Sequence, residues 1–75
     1  MPRYFFNLLH RPDGRDAQGS ELSGIRAARE EAVRLSGEMI AEIDGKFWEA
    51  PHWQLEVTDH DRRRLFTLTF SAEED

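Results

Sequence analysis

The sequence SGIRAAREEAVRLSGEMIAEID, residues 23–44, decides the fold because its apolar residues recur at steps of three and four. That spacing is typical of one face of an amphipathic α-helix. Ser23 or Gly24 can serve as the N-cap, and we predict the helix over residues 24–44. The apolar stripe consists of Ile25, Ala28, Ala32, Leu35, Met39 and Ile43, with Val33 and Ile40 widening it.

The segments on either side of the helix alternate between apolar and polar residues, as strands with one buried face do. Before the helix we predict a strand over residues 3–9 and a loop over residues 10–22. After it we predict strands over residues 53–58 and 64–70, then an acidic tail over residues 72–75. The inward side chains are expected to be Phe6 and Leu8, then Trp53, Leu55 and Val57, and finally Phe66, Leu68 and Phe70.

These elements predict an α+β fold: a single small βαββ domain, residues 1–75, with a three-stranded mixed sheet and one long helix packed on one face. A right-handed strand-helix-strand crossover joins parallel strands, so the first two strands are expected to be parallel. A hairpin makes the last two strands antiparallel. We place the final strand in the centre of the sheet, because it has the longest run of strand formers.

Composition restricts the classes of function. Hydrophobic residues make up 39% of the chain and charged residues 33%, which suits a folded domain. There is no cysteine, which excludes disulfides and thiolate ligands and favours a cytoplasmic location. No segment approaches the roughly 20 apolar residues that span a bilayer, so no membrane association is expected. The net charge of −5 argues against a nucleic-acid partner.

Six segments carry a resemblance to known proteins. They are Arg3-Tyr4-Phe5-Phe6-Asn7-Leu8, Asp13-Gly14, Gly19-Ser20-Glu21-Leu22, Ala27-Ala28-Arg29-Glu30-Glu31-Ala32, Glu56-Val57-Thr58-Asp59 and Leu68-Thr69-Phe70. Through them nearly the whole chain resembles a family of short alphaproteobacterial proteins that carry a domain of unknown function. The resemblance implies the βαββ layout and brings no activity, cofactor or catalytic residue. The chain departs from the family at Arg62, where a turn glycine is common, and at Gly24, where an acidic N-cap is usual.

The residue types that carry chemistry form no recognisable constellation. His10, His52 and His60 lie in separate segments, whereas a metal site needs ligands in a fixed geometry. Glu30 and Glu31 alternate with arginines on the polar flank of the helix, which is typical of a solvated charged face. We therefore expect no catalytic residue, metal site or cofactor, and a protein that is not an enzyme. A small metal binder or enzyme is the third-ranked alternative.

The sheet face opposite the helix is the favoured functional surface. One helix covers one face only, so Phe5, Leu9, Leu65 and Thr67 are expected to share an open face. A mixed face with an exposed aromatic residue is typical of protein contact surfaces. The sequence therefore predicts a non-enzymatic protein-binding or regulatory module that self-associates through the open sheet face or an edge strand.

The alternative function is that of a nucleic-acid-linked regulator. Arg62, Arg63 and Arg64 form a basic run beside the hairpin, and single-strand binders combine basic grooves with aromatic platforms. The same run can instead guard a sheet edge against aggregation. The order of loop and helix is similar to that of antitoxins of the HicB kind, so this alternative is antitoxin-like.

Arg29 interrupts the apolar stripe of the helix. Its stem can pack while its guanidinium reaches solvent. Alternatively, it forms a buried pair with Glu21 or Glu56. The sequence leaves both interpretations open.

Overall fold

The computed structural model describes residues 1–9, 11, 14–43 and 52–73. Its elements are β1 (Arg3–Leu8), β2 (Ser20–Glu21), α1 (Ile25–Ile43), β3 (His52–Thr58) and β4 (Arg64–Ser71). The α+β class is confirmed. The predicted last residue of the helix, Asp44, and the tail residues Glu74 and Asp75 lie outside the described residues.

The sheet has four strands in the order β2-β1-β3-β4, and every neighbouring pair is antiparallel. The prediction of a three-stranded mixed sheet was therefore wrong. The placement of the final strand was also wrong, because β4 lies at one edge while β1 and β3 form the centre. The loop predicted over residues 10–22 contains the additional strand, β2.

The path of the chain before the helix explains why β1 and β3 are not parallel. After β1 the chain turns back, and β2 pairs Glu21 with Arg3 and Ser20 with Tyr4, at the beginning of β1. The helix thus starts beside the first residues of β1 rather than beside its last. β3 then begins beyond the end of β1 and runs back along it, with Leu55 opposite Leu8 and Thr58 opposite Phe5.

The helix approaches the sheet through small side chains. Ala28, Ala32 and Ser36, one turn apart, are its buried residues among those described. Gly24 occupies the N-cap position, because its carbonyl accepts the first helical hydrogen bond from the Ala28 N–H (3.0 Å). Val33 is 64% exposed, so it does not widen the apolar stripe as predicted. Ile25 and Ile40 also reach solvent.

The core lies between this small-residue face and the aromatic residues of the sheet. Its buried members are Tyr4, Phe6, Ala28, Ala32, Leu55 and Val57. Leu55 and Val57 are completely buried, because β3 is central and the helix lies over it. Phe66, Leu68 and Phe70 on β4 pack against this cluster but are only partly buried.

Arg29 lies on the exposed surface of the helix. The two carboxylates proposed as its buried partners are engaged elsewhere: Glu21 pairs with Arg3 (3.1 Å) and Glu56 with Arg64 (2.8 Å). The interpretation with a solvated guanidinium is therefore the one that the structure supports.

Candidate functional site

The segment over residues 14–19 closes the sheet edge beside β1. The Leu8 N–H donates to the Gly14 carbonyl (2.7 Å), and the Phe6 N–H donates to the Asp16 carboxylate (3.1 Å). Edge strands expose unpaired backbone groups, and proteins commonly cover them. Together with β2, this segment gives β1 a partner along most of its length.

Asp16 organises the segment. Its carboxylate accepts hydrogen bonds from three backbone amides: those of Phe6 (3.1 Å), Gln18 (3.2 Å) and Gly19 (2.9 Å). Its own N–H donates to the Asn7 side-chain oxygen (2.8 Å). Aspartate bonding the backbone two and three residues on is a common way to build a turn. One carboxylate thus shapes the segment and ties it to β1.

Two glycines allow this segment to lie against β1. A Cβ at Gly14 would overlap the carbonyl oxygen of Leu8. At Gly19, φ is +74°, and a Cβ would lie 2.9 Å from the Phe5 ring. Only glycine meets both demands at low cost, because it lacks a Cβ and populates positive φ freely.

The turn between β3 and β4 contributes a second group, from Arg62, that covers the Phe5 ring. Asp59 accepts the N–H groups of Asp61 (2.9 Å) and Arg63 (3.0 Å), which fixes the turn. Arg62 has φ of 64°, so an arginine adopts the left-handed conformation that glycine favours. Its guanidinium lies 3.6 Å from the centre of the Phe5 ring and donates to the Asp16 carbonyl (3.1 Å).

The interaction surface that the sequence predicted is therefore partly covered. Phe5 is only 8% exposed, because residue 19 and the Arg62 guanidinium lie against its ring; the expectation that it is exposed was wrong. Leu9 and Thr67 are half-buried. Leu65 is 41% exposed, at the irregular register between β3 and β4. Binding by these four residues stays a prediction.

The three arginines predicted as nucleic-acid contacts have separate surroundings. Arg62 covers Phe5, as described, and Arg64 donates from Nε to the Glu56 carboxylate (2.8 Å). Arg63 is exposed. Two of the three guanidiniums thus stabilise this domain, which leaves the nucleic-acid alternative a prediction with no contact that favours it.

A pocket of about 370 Å³ opens next to the covering segment. Its lining residues are Asn7, Leu8, Leu9, Arg11, Arg15, Glu56 and Arg62. Arg11 and Arg15 had no predicted role, because residues 10–22 were expected to form a loop with no defined contact with the sheet. The signal that could have indicated that this loop folds back along β1 is Asp16 three residues before Gly19, a typical turn pattern.

The far edge of the sheet, β4, has a strand partner on one side only within the described part of the chain. It is eight residues long, from Arg64 to Ser71. After Arg64 it contains no charged residue and no proline. A long edge strand without such residues is a template for pairing with another chain.

The helix carries an ion-pair cluster on its solvent side. Arg34 bonds Glu31 (2.7 Å) three residues before it and Glu38 four residues after it. The hydrogen bond from Arg34 lowers the pKa of the Glu31 carboxyl below its usual value, and the pKa of Arg34 is raised in return. These groups stabilise helical structure.

Within the described ranges, no three or more His, Asp or Glu side chains are grouped as metal ligands would be. His52 and His60 are both exposed, and His10 lies outside the described residues. No helix in the described part of the chain is both long and apolar enough to cross a membrane.

A family model described as a domain of unknown function, DUF6894, matches residues 3–71 of the chain. The match runs from the first residue of β1 to the last residue of β4. No curated protein and no solved structure matches the chain.

Proposed function

Because the chain belongs to the DUF6894 family, which brings no assigned activity, we propose its function from its surfaces: a non-enzymatic protein-binding module that self-associates through β4. The single observation that carries the proposal is the edge of this strand over residues 64–69, which has no strand partner on its outer side within the described part of the chain. The partner is a second copy of the same chain. The cysteine-free composition supports placing this homodimer in a reducing cytoplasm.

The two edges of the sheet differ in a way that favours a dimer over a longer assembly. At the opposite edge, β2 is only two residues long, which leaves little backbone for another chain to pair with. β4 offers a longer stretch, residues 64–69. Two copies joined by their β4 strands would use up both long edges and present only short ones, so growth stops at two chains.

The side chains of β4 support the same partner. Phe66 and Leu68 face the helix side but are only partly buried, since the helix lies over β1 and β3. An antiparallel second β4 would lay its own apolar side chains beside them. Burial of apolar surface contributes about 25 cal/mol per Å², and the backbone hydrogen bonds of the shared ladder fix the register.

The sequence of β4 is compatible with two-fold pairing. Its centre lies at Thr67 and Leu68, so a two-fold axis there brings Thr67 of one copy close to Thr67 of the other. The closest charge within the strand is Arg64 at its beginning, and Glu56 already pairs with it (2.8 Å). Pairing two copies therefore brings no like charges together at the centre of the interface.

Sedimentation equilibrium at micromolar concentration tests the proposal. The wild type is expected to have twice the chain mass of 8.8 kDa. Thr67→Lys places two ammonium groups against each other and is expected to give the mass of one chain, whereas the nearly isosteric Thr67→Val is expected to keep the dimer. Val33→Lys, which adds the same charge on the exposed helix surface, is the matched control and is also expected to stay dimeric.

Two results contradict the proposal. A wild type with the mass of one chain at all micromolar concentrations removes self-association. A dimer that survives Thr67→Lys but dissociates with Val33→Lys places the contact on the helix instead of β4. Circular dichroism of each variant shows whether it has folded.

A further inference from the structure

The pocket beside the covering segment carries an unusual charge for this molecule. The protein has a net charge of −5, yet three arginine residues, Arg11, Arg15 and Arg62, line one open pocket. The one carboxylate in the lining, Glu56, accepts from Arg64 (2.8 Å) and from the Asn7 amide (3.3 Å). The positive charge of the cavity is therefore not offset by its own walls.

Arg11 is held in place before any ligand arrives. Its guanidinium lies 3.7 Å from the centre of the Trp53 indole ring, a cation–π arrangement that fixes its plane. Its Nε is buried and makes no hydrogen bond to any described residue. The contact with the indole ring holds the Arg11 side chain at the border of the pocket.

The other two arginines complement it. Arg62 is fixed by Phe5 and by its hydrogen bond to the Asp16 carbonyl, which uses one of the five N–H donors of a guanidinium. Arg15 is exposed and makes no hydrogen bond or ion pair within the described part of the chain. Arg15 and Arg62 can thus both contact a ligand in the pocket that Arg11 also borders.

We infer that this cavity is a binding site for the oxyanion group of a small ligand, either a phosphate or a carboxylate. The planar fork of arginine donates paired hydrogen bonds to both of these groups. Leu8 and Leu9 add an apolar wall, which suits a ligand with a short hydrocarbon portion next to its anionic group. A volume of about 370 Å³ is within the range of small-molecule sites.

Titration followed by amide NMR tests the site on the full chain. Separate arms use pyrophosphate and citrate, with sodium chloride at matched ionic strength as the reference. Saturable shifts are expected at the N–H groups of Asn7, Leu9 and Glu56. Saturation by pyrophosphate alone assigns a phosphate ligand, and saturation by citrate alone assigns a carboxylate ligand.

Substitutions decide whether the arginines cause the binding. Arg15→Ala, which removes no hydrogen bond or ion pair made within the described part of the chain, is expected to weaken binding about tenfold, the loss of one charged hydrogen-bonding partner. Arg26→Ala on the exposed helix surface removes the same charge and is expected to leave the affinity unchanged. Equal affinities for these two variants, or shifts that never saturate with either anion, overturn the inference.

Discussion

The two edges of the sheet are built by opposite means. Beside β1, a segment with two close-fitting glycines and one aspartate supplies a partner for the backbone, and a two-residue strand completes it. Beside β4, residues 64–69 have no strand partner on their outer side among the described residues. One edge is therefore stabilised from within, whereas the other is the edge at which we propose that a second chain binds. Substitutions at the first should change stability, and substitutions at the second should change association.

Asp16→Ala is expected to have the largest effect. It removes the acceptor of three backbone N–H groups and leaves the Phe6 N–H in β1 without its partner. We expect the free energy of unfolding to fall by about 3 kcal/mol, measured by urea denaturation. Asp61→Ala, at an exposed carboxylate of the β3–β4 turn, is the control and should change it by less than about 0.5 kcal/mol. Similar values for both variants would show that the covering segment adds no stability.

Gly14→Ala tests the close approach of the segment to β1. The added methyl would overlap the Leu8 carbonyl, so backbone must move, and we expect a loss of about 2 kcal/mol in urea denaturation. Gly37→Ala makes the same change in the helix, where nothing lies within 4 Å. It should instead stabilise by up to about 1 kcal/mol, because alanine is the better helix former. If Gly14→Ala leaves the free energy of unfolding unchanged, this contradicts the close approach of Gly14 to the Leu8 carbonyl.

Two substitutions of Arg62 distinguish the free-energy cost of its positive φ from the stabilisation that its side chain provides. Arg62→Ala keeps the positive φ but removes the contact with Phe5 and the bond to Asp16, so we expect a loss of about 1.5 kcal/mol. Arg62→Gly removes the same contacts but relieves the backbone, so its loss should be about 1 kcal/mol smaller. Thermal melts of the two variants measure the difference. If Arg62→Gly is the less stable of the two, the turn is not strained.

At the β4 edge, a substitution is expected to change how the melting temperature depends on protein concentration. It is not expected to change the stability of the single chain. The melting temperature of the wild type should rise by about 4 °C for each tenfold increase in protein concentration, as for any two-state dimer of this size. Thr67→Lys, which is expected to be a monomer, should melt at a temperature independent of concentration. If the melting temperature of the wild type does not depend on concentration, the β4 edge does not associate and the proposed difference between the two edges is wrong.

The smallest effect is expected on the helix surface, away from both edges. The pKa of Glu31 is lowered in the folded protein by its hydrogen bond from Arg34. The ionised form is thus favoured by folding, and its contribution is present above the usual value of 4.5 and is lost as the pH falls through the lowered pKa. Glu31→Gln should therefore lower the melting temperature by about 1 °C at pH 7, with the difference from wild type vanishing at strongly acidic pH. If the difference in melting temperature between Glu31→Gln and wild type persists at acidic pH, it arises from packing and not from the charge of Glu31.

The local elements of the fold follow from sequence patterns, whereas the arrangement of its strands does not. The period of the helix and the alternation of Trp53, Leu55 and Val57 are local properties, and these three side chains are buried as predicted. Strand order depends on where the helix starts in space. That position is set by the return of residues 14–21 along β1, a pairing between segments with only a two-residue strand to signal it.

The candidate sites were predictable to different degrees. Leu65 at the open side of β4 follows from alternation, and its exposure agrees with that expectation. Phe5 has the same outward position, but its cover comes from Gly19 and Arg62, 14 and 57 residues further along the chain. The arginine pocket depends on the same fold-back. Contacts over such separations leave no periodic pattern in a single sequence.

The direction of the strands also decides where fused segments would emerge. β1 starts beside Glu21, where the Leu22 N–H donates to the Pro2 carbonyl (3.0 Å), at the pole of the sheet from which the helix departs. β4 ends with Ser71 opposite His52, at the other pole. A reporter joined before Arg3 and another joined after Ser71 would therefore sit at opposite poles of one domain. In an antiparallel pair of chains, the reporter after Ser71 on one copy would approach the Arg64 end of the other copy's β4, which makes energy transfer between chains a direct readout of their orientation.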